Sequence, residues 1–595
     1  MSGAAAIACA GVLWAAIGTL LANPFAAGSA AGAVSPELAS GAAWMRATAL
    51  AIGIAAMALA GLWRRFPAPS AGSVEPSGAL AGWRQLGLLI VVASAARAIR
   101  LDSGLWYDEI VTLVAFVRLT PVELMTSYTT TNNHILFSLL AHFSVGSFGE
   151  HAWALRLPAA GLGVASLAAL WWMAHELAPA REARFASWLV ALSYHHVWFS
   201  QNARGYTGIL LFSWLGTALY LRARRGPVGS ARGLWLAYAA VLAAALYTHL
   251  SAIFVFFAHG LVYLGDEGWR AWSRRRSPAN ASAGSASKGF DGWPLVGFAF
   301  GLLAAFQLYA ILLPQLAGTF AAQAGDASGS AAISEWKNPL WTLLEIVGSL
   351  QLGPASVVAA VVALALATAG FLSIARRNPA HAALMALPTP ITLAVLLLVN
   401  FNIWPRYFLV SLGFASIIAI RGIFAICAAR AAPGWLRSRP RELASAGCVA
   451  LVALSSVALL QNYRFPKQDY PSARDFATER AAPGEPIFAA GLASYAYSTY
   501  YAPDLGVLED AAELDALRAE SPVWLIYSFS VHLRSTMPEI WQRIERDFEV
   551  VRSFPGTLRD GAIHVLRSAP AASAERSQPG SADTSIAERE KPEAA

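Results

Sequence analysis

Asp108 and Glu109, adjacent in RLDSGLWYDEI, stand just beyond an apolar segment long enough to enter a bilayer. A carboxylate near lipid loses hydration and is costly to keep ionised, so such acids either face bulk water in a loop or belong to a site. Three more polar motifs follow: Arg204 with Tyr206 in SQNARGYTG, His249 in YTHLS, and Arg406 with Tyr407 in NIWPRYFL. A carboxylate can take the proton of a hydroxyl or amine nucleophile. Arginines hold a phosphate bidentately and neutralise charge on a phosphate leaving group. Asp102 is the second choice as base, His134 is a further polar candidate, and Glu150 is expected to cap the helix that follows it. The competing reading of Arg204 and Arg406 is snorkelling at a helix end, and that of either histidine is a local hydrogen bond. His195 and His196 are neighbours and point to different faces of a helix, which disfavours a metal pair. Cys9, Cys427 and Cys448 show no ligand spacing and read as packing residues; a divalent cation is not indicated.

The elements that must position these residues are membrane helices. The 595-residue chain is 56% hydrophobic and only 13% charged, which excludes an ordinary soluble enzyme. A formal charge of +7 does not imply nucleic acid, because the basic residues lie in short clusters between apolar segments. Runs of about 20 apolar residues can span the hydrocarbon, and thirteen such segments are expected. They lie near 4–22, 42–63, 84–100, 153–177, 184–199, 206–221, 233–248, 251–265, 292–313, 354–375, 381–400, 406–428 and 443–461. With a cytoplasmic N-terminus, the arginines at 64–84, 181–184, 222–232, 270–276, 376–377 and 430–441 all fall on one side. Asp108, Arg204, His249 and Arg406 then share the external face, where they suggest group transfer from a lipid phosphate.

The first helices, residues 1–83, form an additional hairpin and cytoplasmic loop, followed by a membrane catalytic region over 84–461. The outer loop 102–152 carries an apolar stretch, NNHILFSLLAHF, expected to lie along the interface as a helix. Beyond Gln461 the runs EPIFAAG, VWLIYSF and GAIHVLR alternate with amphipathic stretches, giving a small extracytoplasmic α/β domain over 462–568. Residues 569–595 are rich in Ser, Pro, Ala and Glu and are expected to be disordered.

From about residue 84 to 430, the order WYDE, NNHILFSLLAHF, GEHAWALRLPAA, SQNARGY, YTHL and PRYFL resembles the GT-C membrane glycosyltransferases. The resemblance is to the group of the protein O-mannosyltransferases and the bacterial aminoarabinose transferase that modifies lipid A. It implies a polyprenyl-phosphate sugar donor, an acceptor that is a lipid, glycan or protein, and inverting transfer at the outer face of a bacterial inner membrane. Asp108 would be the general base with Glu109 in support. Arg204 and Arg406 would bind the donor phosphate, with Tyr206, Tyr407 and His249 as further contacts. Two departures stand out: HILFS replaces the HPPLY of many relatives at His134, and the first two helices fall outside the usual core. A transporter or flippase of lipid-linked sugars would also need phosphate-binding arginines. Against it, the chain shows neither repeated halves nor matched broken helices. A surface polysaccharide polymerase or ligase would share the outer site but not the WYDE motif.

Overall fold

The computed structural model describes residues 3–27, 36–63, 82–130, 132–225, 231–276, 291–325, 334–348, 355–429 and 438–569. The expected disordered tail falls, from 570 on, outside the described residues, as do residues 64–81 of the expected first cytoplasmic loop. The chain divides into two compact units, Met1–Pro466 and Lys467–Ala595.

The first unit is helical. Its first seven helices are α1 (Gly3–Ala27), α2 (Pro36–Trp63), α3 (Trp83–Ala98), α4 (Tyr107–Thr112), α5 (Pro121–Thr126), α6 (Ile135–Phe148) and α7 (Ala152–Leu177). Next come α8 (Ala180–Ala191), α9 (Tyr194–Ser200), α10 (Tyr206–Arg225), α11 (Arg232–Thr248), α12 (Ile253–Arg276) and α13 (Trp293–Tyr309). The series continues with α14 (Leu313–Gly325), α15 (Pro339–Gly348), α16 (Ala355–Ala375), α17 (Pro379–Ala386), α18 (Pro388–Leu398) and α19 (Ser411–Cys427). The Pro440–Arg464 helix closes the unit.

Among the described residues, seven helices are long and apolar enough to cross a membrane, or eight if α17 and α18, bent by 41°, form one broken span. The expected thirteen segments coincide with helices, but several fall short as spans for physical reasons. Helix α3 has 16 residues, about 24 Å of rise against a hydrocarbon core of about 30 Å. Helix α10 is long enough but ends in Arg222, Arg224 and Arg225. The segment expected over 184–199 is two helices rather than one: the chain breaks at Leu192, and the Ser193 hydroxyl accepts from His196 N (3.2 Å) to start α9.

Helix α7 is the central strut, its Leu167, Leu170, Trp171 and Met173 buried in the main core. Pro158 lies inside it and cannot donate to the carbonyl of Ala154. The Ser144 hydroxyl of α6 supplies that donor at 2.6 Å, so the strut continues unbroken and is tied to α6. Helix α10 packs along α7, with Trp214 and Leu210 fully buried. Trp214 Nε1 donates to Val410 O (3.1 Å), fixing the start of α19.

The second unit is a mixed sheet in the order β2-β1-β3-β5-β4. The expected strand runs become β1 (Ile487–Ala490), β3 (Trp524–Tyr527) and β5 (Ile563–Ser568). β1 pairs in parallel with β2 (Gly506–Val507) and β3, while β3 and β4 (Phe548–Phe554) flank β5 antiparallel. The amphipathic stretches form the Tyr470–Arg480 and Pro538–Asp547 helices, the latter burying Ile540 and Ile544 against Leu525 and Leu566.

Candidate active site

The turn before α4 is built by one arginine. Arg156 of α7 is fully buried. Its Nη1 donates to the carbonyls of Leu101 (2.8 Å) and Ser103 (2.6 Å), and its Nη2 to that of Gly104 (2.9 Å). The remaining N–H groups reach Glu109, Nε to Oε1 at 2.8 Å and Nη2 to Oε2 at 2.6 Å. Glu109 also accepts from Ala203 N (2.8 Å) and from Trp106 N (3.3 Å). A carboxylate offers about four acceptor sites; these four bonds fill them. Glu109 therefore ties α4, α7 and the 200–205 segment together.

Asp108, one residue earlier on α4, points elsewhere. Its Oδ2 lies 2.9 Å from Arg204 Nη1 and 3.2 Å from Arg406 Nη1. The sequence-predicted acid and both arginines thus meet, although 298 residues separate Asp108 from Arg406. One carboxylate between two guanidiniums leaves a local excess of one positive charge.

The SQNARG motif is pinned almost residue by residue. Ser200 Oγ accepts from Arg97 Nε (3.1 Å), and Gln201 Nε2 donates to the carbonyls of Arg97 (3.0 Å) and Ile99 (2.6 Å). Asn202 Oδ1 accepts from Trp106 Nε1 (3.0 Å), Ala203 N donates to Glu109, and Gly205 N donates to His134 Nδ1 (2.7 Å). A Cβ on Gly205 would lie 3.0 Å from both His134 and Thr248, so any larger residue here would push on the ring that holds this segment. The outcome is a fixed direction for Arg204, which is 3% exposed. Its Nε and Nη1 have no hydrogen-bond acceptor among the described residues, the Asp108 contact being an ion pair by proximity only. Buried guanidinium donors without acceptors are costly, and here they mark a place for an anion.

Aromatic groups wall the charged cluster. The His134 ring lies edge-on to Tyr206 (5.0 Å between centroids) and to His249 (4.6 Å), and His249 lies 6.1 Å from Tyr407. His249 Nδ1 accepts from Ser251 N (3.1 Å). Burial first, then the charges of Arg204 and Arg406, hold both imidazoles well below the ordinary histidine range. With Nδ1 of each ring accepting, the neutral tautomers carry the proton on Nε2. Arg406 is backed by the Trp404 ring, 4.9 Å from its guanidinium carbon.

Beside this cluster opens a mostly apolar chamber of about 510 Å³. Leu250 lines it from the turn before α12, Ile253 and Phe254 from the start of α12, and Val395, Leu396 and Val399 from the end of α18. His249, Ser251 and Tyr407 belong to its wall, and Ser251 and Tyr407 also bound a small cavity that touches Arg406 and Tyr206.

Two sequence assignments need correction. Glu150 does not cap α7. That helix begins at Ala152 with His151 as its N-cap residue, which leaves Glu150 outside the first turn, paired with Arg118 at 2.7 Å. Asp102, the second choice as base, takes the capping role instead, accepting from Trp153 N (3.3 Å); among the described residues no ion pair joins it to either arginine. Sequence reasoning also missed Arg156 and Arg97, whose signal was a lone cation in an apolar helix. Arg97 does not snorkel: it is buried, with Nη2 2.6 Å from His196 Nδ1. Among the described residues no group of three or more His, Cys, Asp or Glu side chains could hold a metal ion.

No protein-family model matches the chain, and no curated protein matches it. Among solved structures, the chain is similar to apo ArnT from Cupriavidus metallidurans (15% identity, 84% of this chain and 100% of that chain, TM-score 0.42). It is also similar to ArnT from the same organism bound to undecaprenyl phosphate (14% identity, 82% and 99%, TM-score 0.43). A third is the apo Archaeoglobus fulgidus oligosaccharyltransferase (11% identity, 79% and 72%, TM-score 0.43).

Proposed function

We propose that the chain is an inverting glycosyltransferase that moves a sugar from a polyprenyl phosphate to an acceptor hydroxyl or amine at the outer face of a bacterial inner membrane. The observation that carries this reading is the buried Arg204, whose Nε and Nη1 lack hydrogen-bond acceptors among the described residues, beside Arg406 and Asp108 and next to an apolar chamber. A sugar polyprenyl phosphate is a phosphodiester with a single negative charge, which balances the local excess of one positive charge, and the chamber suits the first isoprene units.

In the reaction, the acceptor's O–H or N–H proton passes to Asp108 while its heteroatom bonds to the anomeric carbon. The bond from that carbon to the phosphate oxygen breaks, and its electron pair leaves with the phosphate. Negative charge grows on that oxygen only as the bond breaks, so Arg204 and Arg406 bind the transition state more tightly than the ground state. Glu109, saturated by Arg156, Ala203 and Trp106, positions the site and does not exchange protons.

The orientation rests on counting thirteen crossings, with residues 180–200 taken as one broken span, the arginine-rich connections inside and the N-terminus cytoplasmic. The 467–569 unit is then extracytoplasmic. A carrier needs charged groups that each face can reach in turn, near the bilayer midplane. Asp108, Arg204, His249 and Arg406 instead sit at the termini of helices or in the short turns between them. Purified protein in detergent, with no membrane separating two compartments, should release polyprenyl phosphate from a panel of polyprenyl-phosphate sugars when acceptor is supplied. Donor that stays intact throughout the panel, alongside transbilayer movement of a lipid-linked sugar in proteoliposomes, would replace this reading with a transporter.

A further inference from the structure

A second cavity, with charged side chains in its wall, lies at the other end of α7. Arg156 and Glu176 stand near opposite ends of that helix, about 30 Å apart at about 1.5 Å per residue. Just past Glu176, Leu177 lines a cavity of about 190 Å³, together with Glu182 of α8, Arg377, Asn378 and His381 around the start of α17, and Arg421 of α19. Three apolar spans meet there: Ala152–Leu177 and Val357–Ala375 end at it, and the bent Pro379–Leu398 pair begins at it. The cavity therefore sits at the depth of lipid headgroups on the face opposite Asp108.

Its charges are arranged with one valence open. Glu182 is 4% exposed. Its Oε1 accepts from Arg421 Nη1 at 2.7 Å, and Arg421 Nε donates to Ser373 Oγ at 3.0 Å. Glu182 Oε2 is buried and has no hydrogen-bond partner among the described residues. Arg377, exposed at the rim, lies within electrostatic reach of Glu182. A buried carboxylate oxygen without a donor is costly, and a charged donor satisfies it best. Arg377 and Arg421 in turn favour anionic oxygens beside that donor.

We propose that this cavity binds a phosphate carrying a primary ammonium group, the phosphoethanolamine headgroup, with the ammonium on Glu182 Oε2 and the phosphate facing Arg377 and Arg421. Leu177, Ile374 and Ile417 supply an apolar wall where the lipid's glycerol backbone would lie. The inference is independent of the transferase reading, since none of these residues belongs to the Asp108 site.

The test compares phosphatidylethanolamine with phosphatidylcholine, which has the same phosphate but no N–H to give. Purified protein is equilibrated with equimolar mixtures of the two, and retained lipid is counted by native mass spectrometry. Retention of the ethanolamine lipid should exceed that of the choline lipid by about tenfold. Glu182→Gln should remove most of the difference, because the amide bonds an ammonium far more weakly. Arg377→Ala, at an exposed position where the fold has nothing to lose, should lower retention of both lipids several-fold. Soluble phosphoethanolamine is the second arm: competition at concentrations similar to the lipid's identifies the free headgroup as the ligand, and failure to compete identifies the lipid. Equal retention of the two lipids by the unaltered protein, or retention unaffected by Arg377→Ala, overturns the proposal even if Glu182→Gln does not fold.

Discussion

Asp108→Asn separates chemistry from binding more cleanly than any other change at the site. The amide is nearly isosteric with the carboxylate, so the segment that aims Arg204 and the Trp404 ring behind Arg406 are left in place. Two things change. The amide cannot take a proton, and a general base contributes about 10²- to 10⁴-fold, so turnover should fall by that factor. The local positive excess also rises from one charge to two. At an effective dielectric of about 20 and a separation of about 5 Å, one added charge is worth at most roughly 3 kcal/mol to a bound phosphate. Donor affinity should therefore hold or rise. Arg406→Ala should do the reverse, weakening affinity while leaving the base intact. The assay pairs equilibrium binding of a sugar polyprenyl phosphate with single-turnover release of the polyprenyl phosphate. An Asp108→Asn protein that turns over within tenfold of the unaltered one refutes the base assignment. Loss of donor binding in step with turnover would show instead that Asp108 serves to hold the two arginines.

Glu109→Gln should act on stability, because it leaves the Arg156 guanidinium buried with half of its carboxylate partner. Breaking such a pair costs about 3–5 kcal/mol, so a clear drop in melting temperature is expected where Asp108→Asn shows almost none; an unchanged melting temperature with lost turnover would make Glu109 a chemical group. His134 and His249 are held neutral in the folded protein, whereas unfolded histidines titrate near about 6.5. Below that value the unfolded chain binds more protons, so stability falls as pH is lowered. Melting in detergent should come earlier at pH ~5 than at pH ~7.5, by a margin that shrinks in His249→Gln; a margin unaffected by that change would remove His249 from the effect. Orientation can be checked by single cysteines and a membrane-impermeant thiol reagent, which should label the 102–133 loop and the 467–569 unit from outside but not the 270–288 loop. External labelling of that last loop would invert the topology.

The meeting of Asp108, Arg204 and Arg406 was legible in the sequence because each is a charge at the end of an apolar run, and the arginine bias puts those ends on one side. What adjacency could not say is which of Asp108 and Glu109 faces the cavity. Successive helical residues point about 100° apart, and the choice is settled by Arg156, 47 positions later. Arg156 itself was overlooked because it sits inside an apolar helix, where hydropathy averages it away. The break at Leu192 was hidden for a similar reason: a capping serine within an apolar window barely changes the mean. In the second unit, β3 and β5 announced themselves as buried apolar runs. β4 did not, since Glu549 and Arg552 lie exposed along it and it follows a helix without a turn.

The chamber and the charged cluster share few residues. Its apolar wall comes from the first residues of α12 and the last of α18, while the charged end depends on α4, the 200–205 segment and Arg406. Changes at Val395, Leu396 or Phe254 can therefore reshape the space for a tail without disturbing the groups that bind charge. If the proposed function holds, a chain built this way can drift between donor lipids of different length or saturation while its chemistry stays fixed. The same separation marks Val395, Leu396 and Phe254 as the first positions to vary when fitting the protein to a synthetic short-chain donor.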